Sequence, residues 1–433
     1  MKTFLLAAAV CMAGLPGTGY AKAQPAPSDA GVFAAATAIQ PKVVAWRRDI
    51  HQHPELSNQE VRTAKLVADH LRRLGFEVRA GVAKNGVIGV LRGGRPGRTI
   101  ALRADMDALP VAEKNDLPFA SKATAQWNGE TVPVMHACGH DAHVAMLMGA
   151  AEVLASMKAG LTGTVVFVFQ PAEEGALGVE TWGAAQMLKE NAFASPKPDA
   201  FFGIHVVPGK AGSLNWRSGP FMAGADSWEL AVRGHQTHGG LPWLGIDAAS
   251  VAADIVTSFN QLAARQMEVS KAPTVLSVGQ IKLGVRHNII PGQFDMSGTL
   301  RTFDPEMRKF VLARMEAAIK SMEVKYGVQS TFKLILSLPV TTNSAALSMQ
   351  LAPTLERAAP GLARGDADFV MGSEDFAEYE KVAPIFFAHL GIGESAPNHS
   401  PAFILDETAL EVGVRAQVFT VLDFLNGPAI KVN

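Results

Sequence analysis

The sequence predicts an α/β protein into which a second, α+β domain is inserted. Three observations carry this reading. Between residues 99 and 205, apolar runs of strand length alternate with segments of helical period, as a sheet flanked by helices requires. From about residue 225 the rhythm changes to a β-α-β-β-α-β series, a unit complete in itself. Beyond residue 338 the α/β rhythm returns.

Residues 24–45, rich in Ala, Pro and Ser, read as a tether running into a first helix. Residues 99–105 form a buried strand. Residues 141–157 form a helix with apolar Val144, Leu147, Met148, Ala151 and Leu154 at helical spacing. A strand at 164–170, a helix at 182–190 and a strand at 199–205 follow. The inserted unit is a strand at 227–233, a helix at 245–264, strands at 274–282 and 293–303, a helix at 304–325 and a strand at 328–338, a ferredoxin-like order. A helix at 345–357, a strand at 384–389 and a helix at 407–425 complete the first domain. The predicted organisation is therefore a leader at 1–23, a first domain in two parts at 24–224 and 339–433, and an inserted domain at 225–338.

The leader has a charged Lys2, an apolar run over residues 3–14 and the small-residue site Ala21-Lys22-Ala23, the three parts of a secretory signal. Its apolar run is too short to cross a bilayer, so the expected product is exported to the periplasm or medium, cleaved after Ala23 and without a membrane anchor. Cys11 does not read as a lipidation site, because Val10 stands where a small residue is expected. With 433 residues and 48% apolar composition the chain fills two domains, and a formal charge of -1 gives no electrostatic case for nucleic acid.

Of the two cysteines, only Cys138 survives cleavage, so no intramolecular disulfide forms. A lone cysteine in an exported protein is either a small buried apolar group or a metal ligand. Its setting, Cys138-Gly139-His140-Asp141-Ala142-His143, favours the ligand. Cys138 and His140 are two residues apart and cannot share a helix face, so they belong to a loop entering the helix. Glu173 and Glu174 follow one strand and His205 ends another, while Asp105 and Asp107 close a third. Ligands of open α/β sheets bind at that carboxyl edge. Adjacent carboxylates at a strand end diverge, so one can hold metal while the other faces water. His399, in Asn398-His399-Ser400-Pro401, can complete the set.

These residues carry a resemblance. Arg47 to Leu56, Arg103 to Pro110, Met135 to Asp141, Gln170 to Gly175, His205, His238 with Pro242, Asn288 to Pro291, Gly298 to Arg301, Gly372 to Phe376 and Asn398 to Pro401 follow in order the pattern of the di-metal aminoacylase and carboxypeptidase family, in its hippurate and auxin-conjugate hydrolase branch. The chain thus resembles that family from about residue 45 to 425. The resemblance implies a mixed-sheet metallo-exopeptidase domain with a lid and dimerisation domain inserted. It implies two divalent metal ions held by Cys138, His140, Glu174, His205 and His399, with Glu173 as general base and acid. Zinc is favoured by the donor set, with manganese, cobalt and nickel as alternatives. Asp107 matches an aspartate that orients a ligand, and His238 matches a lid histidine that stabilises the oxyanion, often from the partner subunit. Asn288 and Arg301 match positions that hold the substrate carboxylate. Asp105 stands where many relatives have a metal-binding histidine and is not counted as a ligand. Of the other histidines, His136 and His143 are expected nearest the site.

The expected activity is hydrolysis of N-acyl amino acids or similar small conjugates by a homodimer. The alternatives are a dipeptidase or carboxypeptidase on the same machinery, and a binding protein on a decayed scaffold. A carboxylate free to hold an α-ammonium marks the former; the retained Glu173 argues against the latter.

Overall fold

The computed structural model describes residues 28–428, so the leader lies outside the described residues. A mixed eight-stranded sheet forms the centre. Its spatial order is Glu77–Val82, Gly86–Arg92, Thr162–Gln170, Arg95–Asp105, Ala200–Val207, Ile385–Gly391, Leu214–Asn215 and Ala363–Arg364. The four strands from Thr162–Gln170 to Ile385–Gly391 run parallel, so their carboxyl ends share one rim. Their residues are almost wholly buried, as in a sheet covered on both faces. Helices Asp29–Gln52, His140–Ser156 and Ala409–Asn426 pack together on one side, with Val43, Leu147, Val414 and Phe419 in the shared core. Gly183–Lys189 and the 3₁₀ segment Asp375–Lys381 cover the other.

The first helix starts at Asp29, not near residue 45. Ser28 caps it by accepting from the Gly31 amide, and Val32, Ala36, Ile39 and Val43 form a buried stripe. An Ala-rich segment read as a tether is thus part of the core. Helix Val61–Arg73 and the hairpin Glu77–Val82 with Gly86–Arg92 were not anticipated.

A second, antiparallel sheet has the order Thr274–Leu283, Gln293–Thr302, Gly224–Arg233 and Gln329–Leu338. Helices Ala248–Arg265 and Pro305–Tyr326 lie against it, sharing a core around Trp228, Phe259, Leu300 and Val311. Asp304 caps the second helix through the Glu306 and Met307 amides, and Gly327 ends it at φ 72°. The connectivity is the β-α-β-β-α-β order read from the sequence.

Candidate metal centre

The rim of the central sheet gathers the polar residues. Asp105 ends one parallel strand, Gln170 ends its neighbour three residues before Glu173, and His205 lies near the end of the next. The helix His140–Ser156 begins at the same rim after Gly139. Gly139 has φ 88°, and a Cβ there would stand 2.3 Å from the Val206 side chain. Only glycine lets the Cys138 loop press this closely on the His205 strand.

Cys138, His140 and Glu174 each offer a donor atom within 4.8 Å of the others. His205 Nε2 stands 3.4 Å from Cys138 Sγ. His399 Nε2 stands 3.1 Å from Glu174 Oε1. Glu174 Oε1 is buried, with this His399 contact beside it. His140 donates through Nδ1 to the Asp107 carbonyl at 2.8 Å, which leaves its buried Nε2 unpartnered. Buried polar atoms left unpaired are costly. Here a thiol, three imidazoles and a carboxylate converge with their free atoms facing one another, a set that fits a divalent metal. Without a cation, burial and the nearby Glu174 and Glu173 carboxylates push the Cys138 thiol well above its usual range.

The other two candidates at this edge are already engaged. Asp105 accepts from Arg103 at 2.6 Å through one oxygen and contacts His143 Nδ1 through the other. His143 Nε2 in turn accepts from the Val206 amide at 2.9 Å. Both nitrogens of His143 and both oxygens of Asp105 are therefore used within the protein. They brace the His205 strand against the helix. Asp107 accepts from Ser57 at 2.7 Å and from the Glu174 amide at 3.0 Å, which places it between the candidate ligands His140 and Glu174. His136 is buried with neither ring nitrogen paired, and burial pushes it down to about 3, so its ring is neutral.

Further residues hold the ligand loops. Arg47 and His51 both reach Asp141 Oδ2 at 2.8 Å, fixing the residue after His140. This explains the Arg47 to Leu56 motif as a support. Asn398 Nδ2 donates to the carbonyls of Cys138 at 3.1 Å and Val206 at 3.2 Å, tying the His399 loop to two other ligand segments. His399 has φ 70°, a conformation rare for a non-glycine residue. Glu60, wholly buried, accepts from the Ala172 amide at 2.8 Å beside Glu173, and burial with the nearby Asp107 charge raises it to about 7.

A charge network unread from the sequence lies beneath Glu173. Arg103, almost fully buried, donates to Gln170 at 3.0 Å, Asp105 at 2.6 Å, Glu374 at 2.8 Å and Asp375 at 2.9 Å. Asp375 also accepts from Gln170 and from the Ala184 amide, and Tyr379 donates to Gln170 at 2.7 Å. Glu173 stands within 4.8 Å of Glu374 and Asp375. Burial, then Glu374 and Glu174 beside it, push the Glu173 carboxyl well above its usual range, which favours a proton acceptor over a permanent anion.

Above these groups is a cavity of about 380 Å³ lined by Cys138, Glu173, Glu174, His205 and His399. Arg301, from the second sheet, enters its wall and donates to Ser373 at 2.8 Å. Trp182, Met222, Leu336, Leu338 and Val370 supply apolar wall, and His389 is another lining residue. His238 and Asn288 do not line this cavity. They lie on and beside the partly exposed pair Thr237–His238 and Ile289–Ile290, where the exposed His238 accepts at Nδ1 from the Gly240 amide.

Comparison with known proteins agrees with this chemistry. The family described as Peptidase family M20/M25/M40 matches residues 101–423. Thermostable carboxypeptidase 2 of Saccharolobus solfataricus is 36% identical over 90% of this chain and 96% of its own. N-acetylcysteine deacetylase of Bacillus subtilis is 36% identical over 87% of this chain and 94% of its own. A crystal structure of the Bacillus subtilis YXEP protein, described as a dinuclear metal binding peptidase from the M20 family, superposes with a TM-score of 0.76. It is 34% identical and covers 90% of this chain and 99% of that one. The chain therefore belongs to peptidase family M20/M25/M40 and is a metal-dependent hydrolase of amide or peptide bonds.

Proposed function

We propose that the protein cleaves N-acyl amino acids, releasing a carboxylic acid and a free amino acid, with two divalent ions at Cys138, His140, Glu174, His205 and His399. Such ions, when bound, polarise the scissile carbonyl and acidify a water. Glu173 takes the proton of that water and delivers it to the leaving nitrogen. Arg103, through Glu374 and Asp105, holds the ground beneath Glu173. Asp107 fixes the His140 tautomer that leaves Nε2 free. Zinc suits the thiolate, imidazole and carboxylate donors best, with manganese, cobalt or nickel as the alternatives.

The observation that carries the substrate reading is the pairing of charges around the cavity. Arg301 has a single side-chain partner, Ser373, so its remaining N–H groups are available to an α-carboxylate. Among the described residues, the carboxylates lining the cavity are Glu173, Glu174 and Glu374. The first faces the reacting water, the second the metals, and the third is held by Arg103 and the Phe376 amide. Each of these three is engaged, so at the metal cavity an acylated nitrogen fits better than a dipeptide's free amine. Metal-loaded protein should hydrolyse N-acetyl amino acids with a kcat/KM at least about tenfold above that for matching dipeptides. Equal or faster dipeptide cleavage supports the exopeptidase reading instead.

His238 and Asn288, away from the cavity of their own chain, suit a homodimer in which each chain completes its partner's site. Mixing inactive His238→Ala with inactive Glu173→Gln chains should restore activity at one site of each mixed dimer. A monomer in sedimentation, or His238→Ala at wild-type activity, overturns this assignment.

A further inference from the structure

We infer that the metal-site cavity continues into an annex that receives the far end of a neutral aliphatic acyl chain. This rests on the proposed N-acyl amino acid reading and narrows its substrate class. Beyond the wall of the metal cavity lies a second cavity of about 270 Å³. The two share Trp182, Leu336 and Leu338 as lining residues, so they adjoin along Trp182 and the edge strand Gln329–Leu338. The Trp182 ring packs close to Gly175, immediately after the ligand Glu174, so it stands beside the reacting centre.

The edge strand departs from regular pairing here. Its register against Gly224–Arg233 shifts between Ser227 and Trp228, which pair with Leu336 and Leu334 and leave Ile335 as the extra residue. Such bulges re-aim side chains, often beside active sites. Leu334 is 40% exposed and Ile335 53% exposed, and both line the annex. Apolar side chains held open to solvent next to a catalytic cavity have no partner in this chain, and an aliphatic substrate tail supplies one.

The acidic residues of the annex set its selectivity. Asp375 is turned to Arg103, Gln170 and the Ala184 amide, and Glu378 holds Lys381. Glu180 lines the same space without such a partner. A chain ending in a methyl group is accommodated, while one ending in a carboxylate meets like charge. With the amino-acid carboxylate at Arg301, the acyl tail has this separate exit.

The test compares metal-loaded full-length protein on N-acetyl, N-hexanoyl, N-decanoyl and N-succinyl derivatives of one amino acid. Each buried methylene is worth up to about fourfold, so kcat/KM should rise at least about tenfold from N-acetyl to N-decanoyl, with N-succinyl no better than N-acetyl. Ile335→Asp, and separately Leu334→Asp, should remove most of that rise while N-acetyl turnover stays within about twofold. A flat or falling series, or an unchanged rise in both variants, overturns the annex while N-acetyl turnover keeps the amidohydrolase reading. Failure to cleave any member overturns both.

Discussion

Glu173→Gln lowers kcat by about 10²- to 10⁴-fold, the range expected when a positioned general base is removed. Glutamine keeps the shape and a carbonyl oxygen but cannot accept the proton. The surroundings of Glu173 make the loss a chemical one. Its neighbours Glu374 and Asp375 are fixed by Arg103, so the cradle stays in place when the charge is lost. Glu173 is not among the five proposed ligands, so metal content should equal that of wild type. KM for an N-acetyl amino acid should change little, because Arg301 and the apolar wall are untouched. Elemental analysis and steady-state kinetics on the same preparation check this. A variant that turns over at the wild-type rate with full metal content excludes Glu173 as the base.

Removing the metals has the second large effect, on activity and stability together. Turnover should fall to background after chelation. The buried His140 Nε2, which has no hydrogen-bond partner in the protein, then loses the ligand it faces. A ligand held at 1,000 times its Kd stabilises the folded state by about 4 kcal/mol, so the stripped protein should melt at a clearly lower temperature. The pH dependence has a definite sign. The apo Cys138 thiol is raised by burial and by Glu174, so it is protonated at neutral pH and must release a proton to bind metal. Against the effect of burial, the Asp105 and Asp107 carboxylates raise His140 to about 10, so it too must release a proton, and metal affinity should weaken by at least about tenfold per unit as pH falls. An affinity independent of pH between neutral and mildly acidic conditions shows that Cys138 does not bind as thiolate.

The parts of the site legible in the sequence are those whose chemistry requires uncommon residue types at strand ends. Glu173, Glu174 and His205 could be placed on one rim because parallel strands deliver them there, and Cys138 and His140 because their spacing puts them on the loop entering a helix. His399 came through resemblance, since it lies far along the chain and joins the rim through Asn398. Arg103, Glu374 and Asp375 fall in matched motifs, but their pairing was hidden. Arg103 sits inside an apolar strand, and its partners Glu374 and Asp375 are more than 270 residues away. No local pattern marks such a network. Asp105, left aside as a ligand because relatives differ there, proves to be occupied by Arg103 and His143.

The fold shows the same division. Both β-α-β sections were readable from periodicity, but the hairpin strand Gly86–Arg92 was not. Its glycines look like breakers, yet Gly89 allows Leu71 to pack where a Cβ would approach to 2.7 Å. The first helix was obscured by its Ala-rich start, whose burial against Val414 and Phe419 is a tertiary fact.

We propose that Cys138, His140, Glu174, His205 and His399 make this protein a metal-dependent amidase. The most direct measurement is a stepwise zinc titration of chelator-stripped, full-length protein while following acid release from an N-acetyl amino acid. The expected result is no turnover at the start and activity that rises and saturates as two ions bind per chain. Full turnover by the stripped protein, with zinc adding nothing, contradicts the account.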